Sequence, residues 1–168
     1  LAYMTGILPV KKYGLHSALN MFWEYSMTGQ NIFEEYTGFT QQEVKTLCRK
    51  SGMDFAETGS WYDGYRFRRL RHIYNPRSVV AAMTSGYFSN YWTSTETYEA
   101  LKIYMDMDFQ GLRTDIMQML GGGCIRVNTR SFQNDMRTFR TKDDVLTLLI
   151  HLGYLGYDAE TEEAFIPN

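Results

Sequence analysis

The sequence predicts a mainly α-helical α+β fold with short β-hairpins. Apolar residues recur at helical spacing in several segments, and residues that cap helices precede three of them. Two pairs of short aromatic or apolar runs flank polar stretches, as expected of hairpins. With 168 residues, 44% hydrophobic and 15% aromatic, the chain can bury a packed core, so global disorder is excluded.

Six segments are predicted to be helical: 16–25, 41–51, 76–85, 95–105, 109–120 and 145–152. Thr40 and Glu43 form a capping box, and Thr141 with Asp144 repeats that pattern with a shorter acid. Asn75-Pro76 supplies an N-cap and a first-turn proline. The expected apolar faces are Val44, Leu47 and Cys48; Val79, Val80 and Met83; and Leu112, Ile116, Met119 and Leu120.

Short strands are predicted between and beyond these helices. The opening run, residues 1–8, has the length and apolarity of a buried strand. Aromatic runs at 61–67 and 72–74 flank a basic tip and predict an irregular hairpin. Residues 124–127 form another strand candidate, and 154–157 pairs with 164–166 across a polar turn. The elements predicted for residues 98–168 follow the order helix, turn, helix, hairpin. This is the element order of a winged helix, which this segment is predicted to resemble.

Composition and motifs exclude several classes of function. The net charge of −2 gives no global bias toward nucleic acid or membrane, and Cys48 and Cys124 lack the spacing of a zinc site. No apolar run reaches ~18 residues, which predicts a soluble, cytoplasmic chain without a membrane partner. The Gly121-Gly122-Gly123 run lacks the lysine of a phosphate loop and is interpreted as a helix stop. His151 is predicted to be a core histidine, and we predict no metal site.

Two carboxylate patterns have structural interpretations. Glu43-Val44-Lys45 matches half of a metal-dependent nuclease motif, but the capping box places it on a helix rather than on the required strand. Asp106 and Asp108 more simply cap the helix that follows them.

A basic cluster is the main candidate for binding chemistry. It comprises Arg66, Arg68, Arg69, Arg71 and Arg77, interleaved with Tyr65, Phe67 and Tyr74. Guanidinium groups suit phosphates and neighbouring rings suit bases, which would make DNA or RNA a partner. The alternative is a solvated hairpin tip whose arginines pair with carboxylates of the same chain. The sequence leaves both interpretations open.

Three stretches carry a resemblance that covers nearly the whole chain. They are Met4-Thr5-Gly6-Ile7-Leu8-Pro9-Val10-Lys11-Lys12-Tyr13-Gly14 with Ser17-Ala18-Leu19-Asn20; Trp61-Tyr62-Asp63-Gly64-Tyr65-Arg66-Phe67 with Ile73-Tyr74-Asn75-Pro76-Arg77-Ser78-Val79-Val80; and Tyr91-Trp92 with residues 93–95. The chain thereby resembles the bacterial predicted AAA-ATPase-like family. Those proteins combine a P-loop ATPase-like region with a PD-(D/E)XK nuclease-like domain.

The resemblance implies that the chain is the second half of the ATPase-like region. Residues 1–20 would be a remnant of the ATPase core strand, 21–97 a helical lid with the aromatic and arginine hairpin, and 98–168 a winged-helix-like subdomain. Thr5 would be a sensor residue, with Lys11 and Lys12 near the phosphates. ATP and magnesium would be cofactors of the parent protein and not of this chain, because the phosphate loop, Walker B acids and nuclease carboxylates are absent from it.

The expected function is therefore a non-catalytic lid that couples nucleotide state to a nuclease-like module. Its partners would be the upstream P-loop half and the downstream nuclease-like domain of the same protein. No catalytic residue is assigned to the chain. Two alternatives remain: a helical, winged-helix-like module that binds nucleic acid through the arginine hairpin, and a protein–protein adaptor.

Overall fold

The structure is a computed structural model that describes residues 5–6, 8, 23–29, 32–91, 102, 106, 108–132 and 139–167. Within these ranges the fold is α+β, with five α-helices and two small antiparallel sheets of three strands each. The predicted fold class is confirmed. The predicted helix at 95–105 lies largely outside the described residues.

The first half of the described chain builds one sheet and three helices. A 3₁₀ turn precedes them at Glu34–Tyr36, and the elements are β1 (Phe39–Thr40), α1 (Gln41–Ser51), α2 (Phe55–Tyr62), β2 (Asp63–Tyr65), β3 (Ile73–Tyr74) and α3 (Pro76–Ser85). The strand order is β1-β3-β2, which places β3 in the centre. The buried cluster of this half, here called the N-terminal core, comprises Val44, Cys48, Tyr62, Tyr74, Val79 and Ala82.

The second half repeats the combination of a small sheet and packed helices. Its α-helices and strands are α4 (Leu112–Leu120), β4 (Ile125–Arg126), α5 (Lys142–His151), β5 (Gly156–Asp158) and β6 (Glu163–Phe165), with 3₁₀ turns at Phe109–Gly111 and Thr129–Ser131. The strand order is β4-β6-β5. Its buried cluster, here called the C-terminal core, is formed by Leu112, Ile116, Met119, Ile125, Val127, Val145, Leu146, Leu148, Leu149, Ile150, Leu155, Tyr157 and Ala164.

Local capping explains where the predicted helices begin and end. The hydroxyl oxygen of Thr40 accepts from the backbone N–H of Glu43, whose carboxylate accepts from the Thr40 N–H at 2.8 Å. Thr141 and Asp144 form the second capping box, and Asn75 Oδ1 accepts from the N–H of Ser78 at 3.0 Å. Helix α3 ends at Gly86, whose φ of 76° is left-handed and favours glycine. These predicted boundaries are confirmed.

Several predictions require correction. The predicted strand 61–67 is wrong at its start, because residues 61 and 62 end helix α2, which Asp54 caps by accepting from the Glu57 N–H at 2.7 Å. Val80 and Leu120 are 50% and 65% exposed instead of facing the core. The predicted helix at 109–120 begins as a 3₁₀ turn, because Gln110 has a φ of 52°. The predicted helix at 16–25 is absent at residues 23–25, and residues 16–22 lie outside the described chain.

Little of the predicted opening strand falls on described residues. Thr5 and Gly6 are exposed and have no regular secondary structure. Leu8 packs against the C-terminal core. The described part of this run therefore forms no strand and contributes one apolar contact to the second half.

Candidate functional site

The loop that joins β2 to β3 carries most of the predicted basic cluster. This segment, residues 66–72, is here called the arginine loop. Its turn closes through a 2.7 Å hydrogen bond from the Phe67 N–H to the Leu70 carbonyl. Arg66, Arg68, Arg69 and Arg71 are all exposed. The hairpin therefore presents four guanidinium groups at the surface, as the sequence predicts.

A buried glutamate fixes the backbone of the arginine loop from one side. Glu34 is 5% exposed, and its Oε2 accepts from the backbone N–H groups of Arg69 at 2.9 Å and Leu70 at 3.2 Å. Two convergent amides satisfy a buried carboxylate that would otherwise be costly to bury. Glu34 thus sets the conformation of the loop through its main chain and leaves the arginine side chains free to turn outward.

The arginine side chains meet the turn between β5 and β6. This segment, residues 158–163, is here called the acidic turn because it carries Asp158, Glu160, Glu162 and Glu163. Arg71 Nη1 lies 3.1 Å from Asp158 Oδ2, and Arg71 Nη2 lies 3.6 Å from Glu160 Oε2. Arg68 Nε lies 3.7 Å from Glu160 Oε1. The loop and the turn are therefore bridged by three ion-pair contacts.

These ion pairs are accessible to solvent and individually weak. The side chains of Arg68 and Arg71 are 63% and 50% exposed, and that of Glu160 is 55% exposed. Exposed pairs of this kind contribute about 0–1 kcal/mol each. Asp158 is the most buried partner: burial would raise its pKa, but the N–H of Glu160 and the Arg71 guanidinium together lower that pKa below its ordinary value. The bridge is a contact that a competing charge can open.

A hydrogen bond from a buried tyrosine supports the bridge at the base of the hairpin. Tyr65 is 7% exposed, and its hydroxyl donates to the Gly153 carbonyl at 2.6 Å. Burial raises the pKa of Tyr65 above its ordinary value, and the hydrogen bond from Asn75 at 3.4 Å opposes this only in part. The Arg66 guanidinium lies 5.1 Å from the centre of the Phe165 ring. Strand β2 and its loop therefore contact β5, β6 and the residues that follow α5.

The structure separates the predicted cluster into different roles. Arg68 and Arg71 pair with carboxylates, Arg66 lies over a ring, and Arg69 contributes its backbone N–H. Arg77 lies apart from them in the first turn of α3 and is exposed. The hypothesis that the hairpin tip pairs with the chain's own carboxylates agrees with this arrangement for Arg68 and Arg71.

The proposed stacking surface beside the arginines is wrong for two of its three rings. Tyr65 and Tyr74 are 7% and 2% exposed, so their faces are not accessible to bases. Phe67 is half-buried. Burial raises the pKa of Tyr74 to about 12, as expected for a phenol inside the N-terminal core. Phe67 is thus the one ring of the three that is partly accessible, and the exposed guanidinium groups are the main groups that could hold an anion here.

Of the three predicted nucleotide-sensing residues, only Thr5 lies in the part of the chain that the structure describes. Thr5 is exposed. Lys11 and Lys12 lie outside the described residues. Among the residues that the structure describes, no three His, Cys, Asp or Glu side chains are grouped to hold a metal ion. His72 Nδ1 lies 2.6 Å from Asp63 Oδ2, which is a pair rather than a metal centre.

Sequence reasoning missed both sets of carboxylates that hold the arginine loop. Glu34 lies 35 residues before Arg69, and Asp158 lies 87 residues after Arg71. The only available signal was the concentration of four acids in residues 158–163, opposite in sign to the hairpin tip. The prediction that His151 is a core histidine is confirmed: it is 8% exposed on α5, its ring lies 5.5 Å from that of Phe132, and burial lowers its pKa to about 4.

Comparison with known proteins adds no assignment: no family model, curated protein or solved structure matches this chain. No helix in the described ranges is long and apolar enough to cross a membrane.

Proposed function

We propose that this chain is a non-catalytic coupling module of an ATPase-like protein, in which the arginine loop transmits movement between its two halves. One observation carries the proposal. The loop is fixed to the first half through Glu34 and bridged to the second half through Arg68, Arg71 and Tyr65. The family resemblance supplies the nucleotide-dependent context.

The strengths of these contacts suit a coupling role. Glu34 is buried and holds two backbone N–H groups of the loop, so the loop keeps its shape, whereas the ion pairs to the acidic turn are exposed and weak. A rigid element joined to its neighbour by an interface of low energy can occupy two arrangements. A ligand that binds one arrangement more tightly would increase the fraction of molecules in that arrangement. ATP and magnesium would bind in the parent protein, and Lys11 and Lys12 remain proposed contacts to its phosphates.

Direct DNA reading in the manner of a winged helix has less support. The element order α4, β4, α5 and the β5–β6 hairpin agrees with that interpretation. However, all residues from Asp144 to His151 on α5 are buried, so this helix has no free face for a groove. The hairpin tip is acidic and would repel phosphates. The adaptor hypothesis retains one supporting observation, the exposed rings of Trp23, Tyr36 and Tyr87.

The proposal is tested by comparing this chain with a longer one that includes the phosphate loop implied by the resemblance. We expect the 168-residue chain to bind no ATP and the longer chain to hydrolyse it. Nucleotide should change hydrogen exchange in the β5–β6 hairpin of the longer chain. In Arg71→Ala this change should be lost while ATP binding persists. ATP hydrolysis by the 168-residue chain alone, or a longer chain that binds no ATP, would contradict the proposal.

A further inference from the structure

The arginine loop has the features of an anion-binding site whose arginines already contact carboxylates of the same chain. Exposed guanidinium groups lie on a loop whose backbone is fixed by Glu34, so little ordering is needed for a ligand to bind. Arg68 and Arg71 are held by two carboxylates of the acidic turn. The Arg69 side chain makes no ion pair with any residue that the structure describes. The groups that would bind an anion are thus present, positioned and partly neutralised by the same chain.

We propose that the acidic turn masks a binding site for the phosphate backbone of nucleic acid on the arginine loop. Asp158 and Glu160 occupy the positions that backbone phosphates would take beside Arg68 and Arg71. This inference goes beyond the coupling function, since it names the ligand class and the groups that exclude it. It holds whether or not the parent protein hydrolyses ATP.

The ligand class follows from the chemistry of the loop. Guanidinium groups bind phosphate oxygens through charge-assisted hydrogen bonds, and several arginines on one short loop match a polyanion better than a single small anion. Because Tyr65 and Tyr74 are buried, the site offers those rings to no base. Binding is therefore expected to be independent of sequence and strongly dependent on salt.

Displacement of the acidic turn requires little energy. Each ion pair in the mask is exposed and contributes little, and a nucleic acid that replaces them also releases condensed counterions. The turn can keep its own fold after losing these contacts, because Asp158 Oδ1 accepts from the Glu160 N–H at 2.9 Å. The Asp158→Asn substitution preserves that acceptor, so the mask can be neutralised without removing the turn.

The test measures the affinity of the 168-residue chain for short fluorescein-labelled DNA, single-stranded and duplex, by fluorescence anisotropy at low salt. The unmasked variant is Asp158→Asn/Glu160→Gln. The matched control is Glu57→Gln/Glu163→Gln, which also removes two charges. Among the residues that the structure describes, neither of these carboxylates pairs with an arginine. Glu162 is left unchanged because it pairs with Arg126 and Arg130. Circular dichroism establishes that each variant is folded.

We expect the unmasked variant to bind DNA about five- to tenfold more tightly than the unmodified chain, and the control to change affinity less than about twofold. Adding Arg68→Ala/Arg71→Ala to the unmasked variant should abolish the gain. It should also reduce the slope of log affinity against log salt by about two, one for each lost phosphate contact. Equal gains in the unmasked variant and the control would overturn the proposal, because net charge alone would explain them. No gain in affinity for either form of DNA would also overturn it.

Discussion

Replacing Tyr65 by phenylalanine tests the hydrogen bond that this buried side chain makes between the two halves of the described chain. The substitution removes one hydroxyl and keeps the ring, so the packing of β2 is preserved. It deletes the 2.6 Å hydrogen bond to the Gly153 carbonyl and the longer one, 3.4 Å, that Asn75 donates to the hydroxyl. Because Tyr65 is 7% exposed and Gly153 is half-buried, the acceptor that is left behind is partly shielded from water. The free energy of unfolding should fall by about 1–2 kcal/mol.

Urea denaturation followed by far-UV circular dichroism measures this loss through a lower midpoint at an unchanged slope. In thermal unfolding, the same loss should lower the Tm by about 3–6 °C for a chain of this size. Tyr87→Phe is the matched control, since Tyr87 is 74% exposed and its hydroxyl is accessible to water. We expect the control to change stability by less than about 0.5 kcal/mol. If Tyr65→Phe changed stability no more than the control, the contact would not join the two halves.

Three further predictions concern close packing at Gly38, capping at Thr141 and protonation at His151. Gly38→Ala should destabilise the chain by about 1–3 kcal/mol in urea, because a Cβ there would lie 2.6 Å from Ile73 Cγ2, and an unchanged midpoint would contradict this packing. Thr141→Ala should cost about 1 kcal/mol by removing the cap of α5, whereas Thr141→Ser should retain most of it; equal losses would contradict the capping role. Burial lowers the pKa of His151 to about 4, so its contribution to stability is complete above pH 6.5 and is lost as the pH falls toward 4, by about 3 kcal/mol in total. His151→Phe should remove that part of the acid dependence in urea titrations at several pH values, and an unaltered pH profile would refute the assignment.

The features that sequence predicted well depend on residues close together in the chain. The capping boxes at Thr40 and Thr141 and the cap at Asn75 need only the next three residues. The two hairpins likewise follow from neighbouring runs and the turns between them. Because these interactions are local, one sequence is enough to identify them.

Errors arose where tertiary packing selected among local alternatives. Ser78, Val79 and Ala82 form the buried face of α3, so the orientation of the helix buries one of two adjacent valines and leaves Val80 50% exposed. The aromatic pair Trp61-Tyr62 favoured a strand by propensity, but the Asp54 cap and packing place it in a helix. Aromatic content predicted a core correctly without showing which rings remain accessible.

The sequence predicts the arginines of the candidate site but not the carboxylates that they contact. The arginines were identified from their spacing, and their exposure agrees with the prediction. Their partners Glu34, Asp158 and Glu160 could not be assigned, since nothing in a single sequence specifies which distant carboxylates fold against a loop. Whether arginines bind a ligand or the chain itself depends on those distant partners.

The central claim is that contacts between the arginine loop and the acidic turn couple the local stability of the two halves. Hydrogen–deuterium exchange of Tyr65→Phe/Arg71→Ala, compared with the unmodified chain, tests it most directly. We predict faster exchange both in residues 63–74 and in residues 153–165, with helices α1 and α4 unchanged. Faster exchange confined to residues 63–74 would contradict the claim, because the stability of the second half would then not depend on its contacts with the arginine loop.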